Sequence, residues 1–147
     1  MFRNILIPTD GSTLSDRAIK DGVALAKLVG AKITVLHIYP KFAGSPYGTF
    51  GPSEDILEEA HERQAKAEAD KLFAKAARTA KDAGVEAETQ LVQSDDVYNQ
   101  IIATAKRRKC DLICMASHGR RGIAGVLLGS ETQKVLTHST VPVLVLR

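Results

Sequence analysis

Residues Asn4 to Ile38 read NILIPTDGSTLSDRAIKDGVALAKLVGAKITVLHI, and this stretch decides the fold. Asn4 to Thr9 is a short run that is apolar on both faces, as a strand inside a covered sheet must be. From Leu14 to Val29, apolar or small residues recur at Ala18, Ile19, Gly22, Leu25, Ala26 and Val29, which is helical spacing. Gly30 stands where a left-handed residue commonly ends a helix. Lys32 to Ile38 is a second strand. A strand, a helix and a strand in immediate succession form a crossover unit, so the two strands run parallel.

The same alternation continues outward from this unit. Tyr39 to Pro52 is rich in Gly and Pro and reads as a loop. A long helix opens at Ser53 or Glu54 and ends at Gly84. Its first half carries Glu59/Arg63 and Glu62/Lys66 at i,i+4 and reads as solvated, while Leu72, Phe73, Ala76, Ala77 and Ala80 give the second half a core face. Val85 to Val92 alternates like a half-buried strand. Ser94 and Asp95 are suited to cap a helix bearing Val97, Ile101 and Ala105 on one side. Lys106 to Lys109 (KRRK) sits where cations complement that helix's C-terminus. Asp111 to Ala116 is a fourth strand, Ser130 to His138 a fourth helix, and Val141 to Leu146 a fifth strand. The order predicts an α/β single domain over residues 1–147: a five-stranded parallel sheet with helices on both faces.

Composition narrows the function classes. The chain has 147 residues, 44% hydrophobic and 25% charged, which is enough to bury a core and leaves little room for a second domain. A net charge of +3 is too small to argue for nucleic acid or an anionic membrane as partner. The apolar run at the N-terminus is too short for a secretory signal, and no stretch approaches the roughly 20 apolar residues that span a bilayer. A cytoplasmic location is therefore expected. Cys110 and Cys114 fit a reducing compartment, and with no further Cys or clustered His they read as small core residues.

Open parallel sheets bind ligands at the carboxyl ends of strands where the winding reverses. Two loops suit that position, Thr9-Asp10-Gly11-Ser12 and Ser117 to Gly129. In the second, Gly119 and Gly129 would let backbone N–H groups approach a phosphate, and Arg120 and Arg121 would add positive charge. Ser130 begins a helix, where orphan N–H groups favour an anion; Ser130-Glu131-Thr132-Gln133 also matches a capping box, so its hydroxyl is expected to cap that helix. No G-x-x-x-x-G-K-S/T and no G-x-G-x-x-G after a strand occurs, which argues against a P-loop and a dinucleotide site. Asp10 is placed to accept hydrogen bonds from ribose hydroxyls or to help hold a metal with phosphates; its local alternative is a turn residue before Gly11. His118 reads as a ligand or backbone contact, because no nucleophile or carboxylate is fixed beside it and no triad is visible. His37 reads as structural, and His61 and His138 as surface residues on helices.

Pro8-Thr9-Asp10-Gly11-Ser12, Met115-Ala116-Ser117-His118-Gly119-Arg120, Leu128-Gly129-Ser130 and the ending Val141 to Leu146 together resemble the universal stress protein family along the whole chain. That resemblance implies a Rossmann-like fold of the adenine nucleotide alpha-hydrolase type. The family's nucleotide-binding branch carries G-x2-G-x9-G-S/T. Here Gly119, Gly129 and Ser130 meet the last three positions and Ala116 replaces the first glycine. Three of four positions favour the binding branch. The resemblance implies adenine or ribose contacts at Pro8, Thr9, Asp10 and the backbone of Ile38. It implies phosphate contacts at Gly119, Gly129, Ser130 and the backbone of Glu131, with Met115, Ala116 and His118 lining the pocket. It further implies ATP as ligand, with Mg2+ or Mn2+ as an accompanying ion, and a regulatory role in the stress response with at most slow ATP hydrolysis. A homodimer is implied through the C-terminal strand, which as a bare apolar edge would otherwise invite aggregation. The alternatives are a dimeric interaction module that binds no nucleotide, a reading that the Ala116 substitution keeps open, and a slow ATP hydrolase.

Overall fold

The structure, a computed structural model, describes residues 1–120 and 128–147. Strand β1 (Asn4–Pro8) leads through helix α1 (Thr13–Val29) to β2 (Lys32–Tyr39). A short 3-10 turn at Gly48–Phe50 precedes helix α2 (Glu54–Ala83), which leads to β3 (Ala87–Gln93). Helix α3 (Val97–Arg107), β4 (Leu112–Ala116), α4 (Ser130–His138) and β5 (Val143–Leu146) complete the order. The five strands form one all-parallel sheet in the order β3-β2-β1-β4-β5.

β1 lies at the centre because it is apolar on both faces. Ile5 and Ile7 pack with Ile19, Val23, Val35, Ala76 and Cys114 on the α1/α2 side. Leu6 packs with Leu36, Ile101, Ile113, Met115 and Val135 on the α3/α4 side. α1 comes close to the sheet at Gly22, where a Cβ would stand 2.6 Å from Ile7 Cδ1. The side change follows from the strand order. From β1 the chain winds one way through β2 to β3, then returns across the sheet to β4 on the other flank of β1. The reversal therefore falls between β1 and β4.

Element ends differ from the sequence reading by a few residues, each for a local reason. β3 begins at Ala87, because the Val85 N–H donates back to Ala80 O at 2.8 Å and closes α2 over left-handed Gly84. β5 begins at Val143, because Val141 is held in a turn by the Ser139 hydroxyl, which accepts its N–H at 3.0 Å. Tyr39 belongs to β2, its carbonyl accepting the Ser94 N–H at 2.9 Å.

Candidate functional site

The loop after β1 is built from short-range polar bonds. The Thr9 N–H donates to Leu36 O at 2.8 Å, and the Thr9 carbonyl lies 2.9 Å from Nδ1 of buried His37, which must therefore carry its proton on Nδ1. Thr9 Oγ1 accepts the Gly11 N–H and lies 3.1 Å from Ser15 Oγ. Ser12 caps α1, its hydroxyl accepting the Ser15 N–H. Asp10 Oδ1 accepts the Ser12 N–H at 2.9 Å, as the turn reading required. Its other oxygen, Oδ2, accepts the Arg120 N–H at 2.7 Å across the mouth of the sheet. Burial pushes the Asp10 carboxyl up, but the bonds from Ser12, Arg120 and Ser15 together outweigh it and hold the group below its ordinary value.

The loop after β4 is packed against this carboxylate and against itself. A Cβ on Gly119 would collide with Asp10 Oδ2. A Cβ on Gly129 would press on His118 Cα at 3.2 Å and Cβ at 3.3 Å. The Gly129 N–H donates to Ser117 O at 2.7 Å, so the far end of the loop returns to the end of β4. Thr132 Oγ1 then donates to Ala116 O at 3.1 Å and fastens the first turn of α4 to the strand. Both motif glycines are thus closely packed within the protein itself, Gly119 more tightly than Gly129. Arg121 and the rest of 121–127 lie outside the described residues.

Two capping expectations are corrected. Gly129, extended at φ −68° and ψ 155°, is the N-cap of α4, and Ser130 is its first helical residue, so the Ser130 hydroxyl does not cap the helix. The Gly129 carbonyl accepts the Gln133 N–H, which sets the helix start one residue earlier than the capping box assumed. The N–H groups of Ser130, Glu131 and Thr132 meet no acceptor among the described residues. The second correction concerns α3, whose N-cap is Asp96 with no side-chain cap bond. Ser94 Oγ accepts the Asp96 N–H and Asp95 Oδ1 accepts the Lys41 N–H, so neither caps the helix. The acceptor comes from α4 instead: Glu131 Oε2 takes the Tyr98 N–H at 2.9 Å. Sequence reasoning placed Glu131 in the site through its backbone and missed this use of its side chain.

The other candidates take up distinct places. Pro8 ends β1, and Met115 and Ala116 are buried at the end of β4. By strand alternation Ala116 shares the face of Cys114, so its methyl points away from α4. Leu36 turns its carbonyl toward β1, so by the period of two Ile38 does the same; β1 pairing stops at Pro8↔Leu36, and the N–H and C=O of Ile38 face the space past its end. His118 Nδ1 lies 3.1 Å from the hydroxyl of Ser117, which is itself buried. The Arg120 guanidinium does not point to the first turn of α4; it donates to Glu68 Oε1 on α2 at 3.0 Å. His61 does more than cover the surface. Its Nε2 lies 2.8 Å from Pro40 O and its ring tilts against Tyr39 and Phe42, which anchors the start of the loop after β2. Cys110 and Cys114 are free and buried, and burial lifts the Cys114 thiol to about 11.

The arrangement places the first-turn N–H groups of α4 and the backbone edge of Ile38 at the strands' carboxyl ends, on either side of the Asp10–Arg120 contact. Among the described residues no group of three metal-ligating side chains occurs and no helix is long and apolar enough to cross a membrane.

The model of the universal stress protein family matches residues 1–147. A universal stress protein of Thermus aquaticus is 33% identical over 150 residues, covering all of both chains. A hypothetical protein of Methanocaldococcus jannaschii with a solved structure superposes with a TM-score of 0.83 at 27% identity, over 99% of this chain and 96% of that one. A universal stress protein solved in complex with cAMP superposes with a TM-score of 0.69 at 25% identity, over 99% and 97%.

Proposed function

The chain belongs to the universal stress protein family, and on that premise we propose that it binds an adenine nucleotide, ATP foremost, in the crevice between the β1 and β4 loops and acts as a regulatory protein in the stress response. The observation that carries the reading is the first turn of α4. Three consecutive N–H groups, from Ser130 to Thr132, meet no acceptor among the described residues at a positive helix end, where phosphate binds well. The open backbone edge of Ile38 and the pinned Asp10 carboxylate lie on the far side of the same reversal point, where the adenosine half would rest. The cAMP complex of a relative supports the ligand class. The Ala116 methyl is turned from α4, so it does not crowd phosphates bound at that helix start.

Pro8, Thr9, Asp10 and Ile38 would meet adenine and ribose; Gly119, Gly129, Ser130 and Glu131 would meet phosphates through their backbone, with Met115, Ala116 and His118 lining the pocket. Each Asp10 oxygen accepts one N–H and keeps a lone pair for a ribose hydroxyl, while Mg2+ or Mn2+ would be held by the phosphates and water. Ser117 is buried and the Ser117–His118 pair has no carboxylate partner among the described residues, so no hydrolytic triad is assembled there.

β5 is an edge strand with Leu144 half exposed, and pairing with a second copy would cover it. Leu144→Lys is expected to turn a dimer into a monomer in light scattering. Two free, buried thiols suit a reducing, cytoplasmic setting. The competing reading is a dimeric interaction module without nucleotide, favoured by the close packing of Gly119 and Gly129 against the protein's own Asp10 and His118. Native mass spectrometry of the purified protein, with thermal melts in millimolar ATP, separates the two. Copurified adenine nucleotide or a melting temperature raised by ATP supports binding; bare protein with a flat melting temperature supports the module.

A further inference from the structure

Arg120 is the one cation described on the β4 loop, and its charge is engaged away from the proposed phosphate site. Its N–H is bound to Asp10 and its guanidinium crosses over Gly11 to Glu68. Gly11 leaves room for that crossing: a Cβ there would lie 2.6 Å from an Arg120 terminal nitrogen and 3.1 Å from Leu72 Cδ2. Glu68 stands on α2. Its helix is held against the sheet and α1 by buried Ala69 and Ala76 and by the Lys75–Asp16 ion pair. If the pair opens, the Arg120 guanidinium is released on a backbone anchored at Asp10.

We infer that Glu68 determines how strongly the site discriminates among adenine ligands by phosphate charge, because it holds the Arg120 guanidinium across Gly11. Glu68 is a positioning residue in this scheme, acting through Arg120 and touching no ligand. Adenosine, being uncharged, has nothing to offer the guanidinium and leaves the latch closed. A triphosphate competes with the Glu68 carboxylate for the same planar fork. The inference rests on the nucleotide reading above. Both partners are substantially exposed, 57% for the Arg120 side chain and 44% for Glu68, so the competition is modest. An exposed pair of this kind shifts an equilibrium by about two- to five-fold.

Calorimetric titration of the full chain with ATP and with adenosine tests it, using Glu68→Gln, Arg120→Gln and the double variant. Glu68→Gln is expected to tighten ATP by about two- to five-fold and leave adenosine unchanged, with the gain shrinking as salt is raised. The double variant is expected to lose the gain. Equal tightening of adenosine would show that the substitution merely loosens the loop and would overturn the inference, as would unchanged ATP affinity. In both of those outcomes nucleotide binding itself still stands. A wild-type chain that binds neither ligand would overturn the nucleotide reading and this inference together.

Discussion

Truncating Glu131 to alanine removes the carboxylate that accepts the Tyr98 N–H at 2.9 Å. That N–H belongs to the first turn of α3, where no neighbouring turn can supply an acceptor and where Asp96, the N-cap, makes no side-chain cap bond. Loss of a helix cap costs about 0.5–2 kcal/mol, and an acidic group at a helix start contributes roughly 0.3–1 kcal/mol of this through the dipole. Because the Glu131 side chain is 38% exposed and also faces Lys134 at 3.2 Å, water replaces part of what is lost. A net cost of about 1 kcal/mol follows, or a fall in melting temperature of about 3 °C for a chain of this size. Glu131→Gln keeps an amide oxygen for the bond and loses the charge, so it is expected to fall between wild type and alanine. Thermal melts give the first readout, and hydrogen exchange of the Tyr98 amide gives the local one. Exchange at Tyr98 should quicken in Glu131→Ala and not in Ser94→Ala, whose hydroxyl serves Asp96. A melting temperature within error of wild type, with Tyr98 exchange unchanged, would refute the claim that α4 caps α3.

Three further outcomes are expected. Gly11→Ala forces a left-handed backbone at φ +77° on a residue with a Cβ and pushes that Cβ into Arg120, so chemical denaturation should show a loss of about 1–2 kcal/mol. The folded-state pKa of Asp10 is depressed, so its contribution to stability is complete above the unfolded value near 4 and is lost as pH falls through the lower folded value. Wild type should therefore outlast Asp10→Asn in urea at about pH 6, the gap closing below roughly pH 4; a gap independent of pH would contradict the assignment. Cys114, with its thiol lifted to about 11, should resist aromatic disulfide reagents at about pH 8 in the native state and react on unfolding; rapid native labelling would show that α1 does not cover it.

The helix stops were legible because each depends on a few neighbours. Gly30 and Gly84 both adopt the left-handed conformation that ends a helix, and nothing distant is needed to place them. The caps of α3 and α4 were misplaced for the opposite reason. Ser94, Asp95 and Ser130 have the right chemistry locally, but the donors and acceptors that decided the matter come from Glu131 for α3 and from the packing of Gly129 on His118 for α4. Arg120 was legible as a cation beside the site. Its engagement with Glu68 was not, since α2 lies many residues away and offers several carboxylates of equal promise.

Alternating apolar runs and helical periodicity by themselves determined a parallel α/β chain whose polar loops follow the first and fourth strands. Period, capping and turn chemistry act over a handful of residues, so they are written locally. Only the tertiary structure decided that β1 and β4 are neighbours, bringing Asp10 within 2.7 Å of the Arg120 N–H across 110 positions of chain. Strand order is a property of which faces bury together, and a carboxylate meets its distant donor only after that burial has chosen the neighbours.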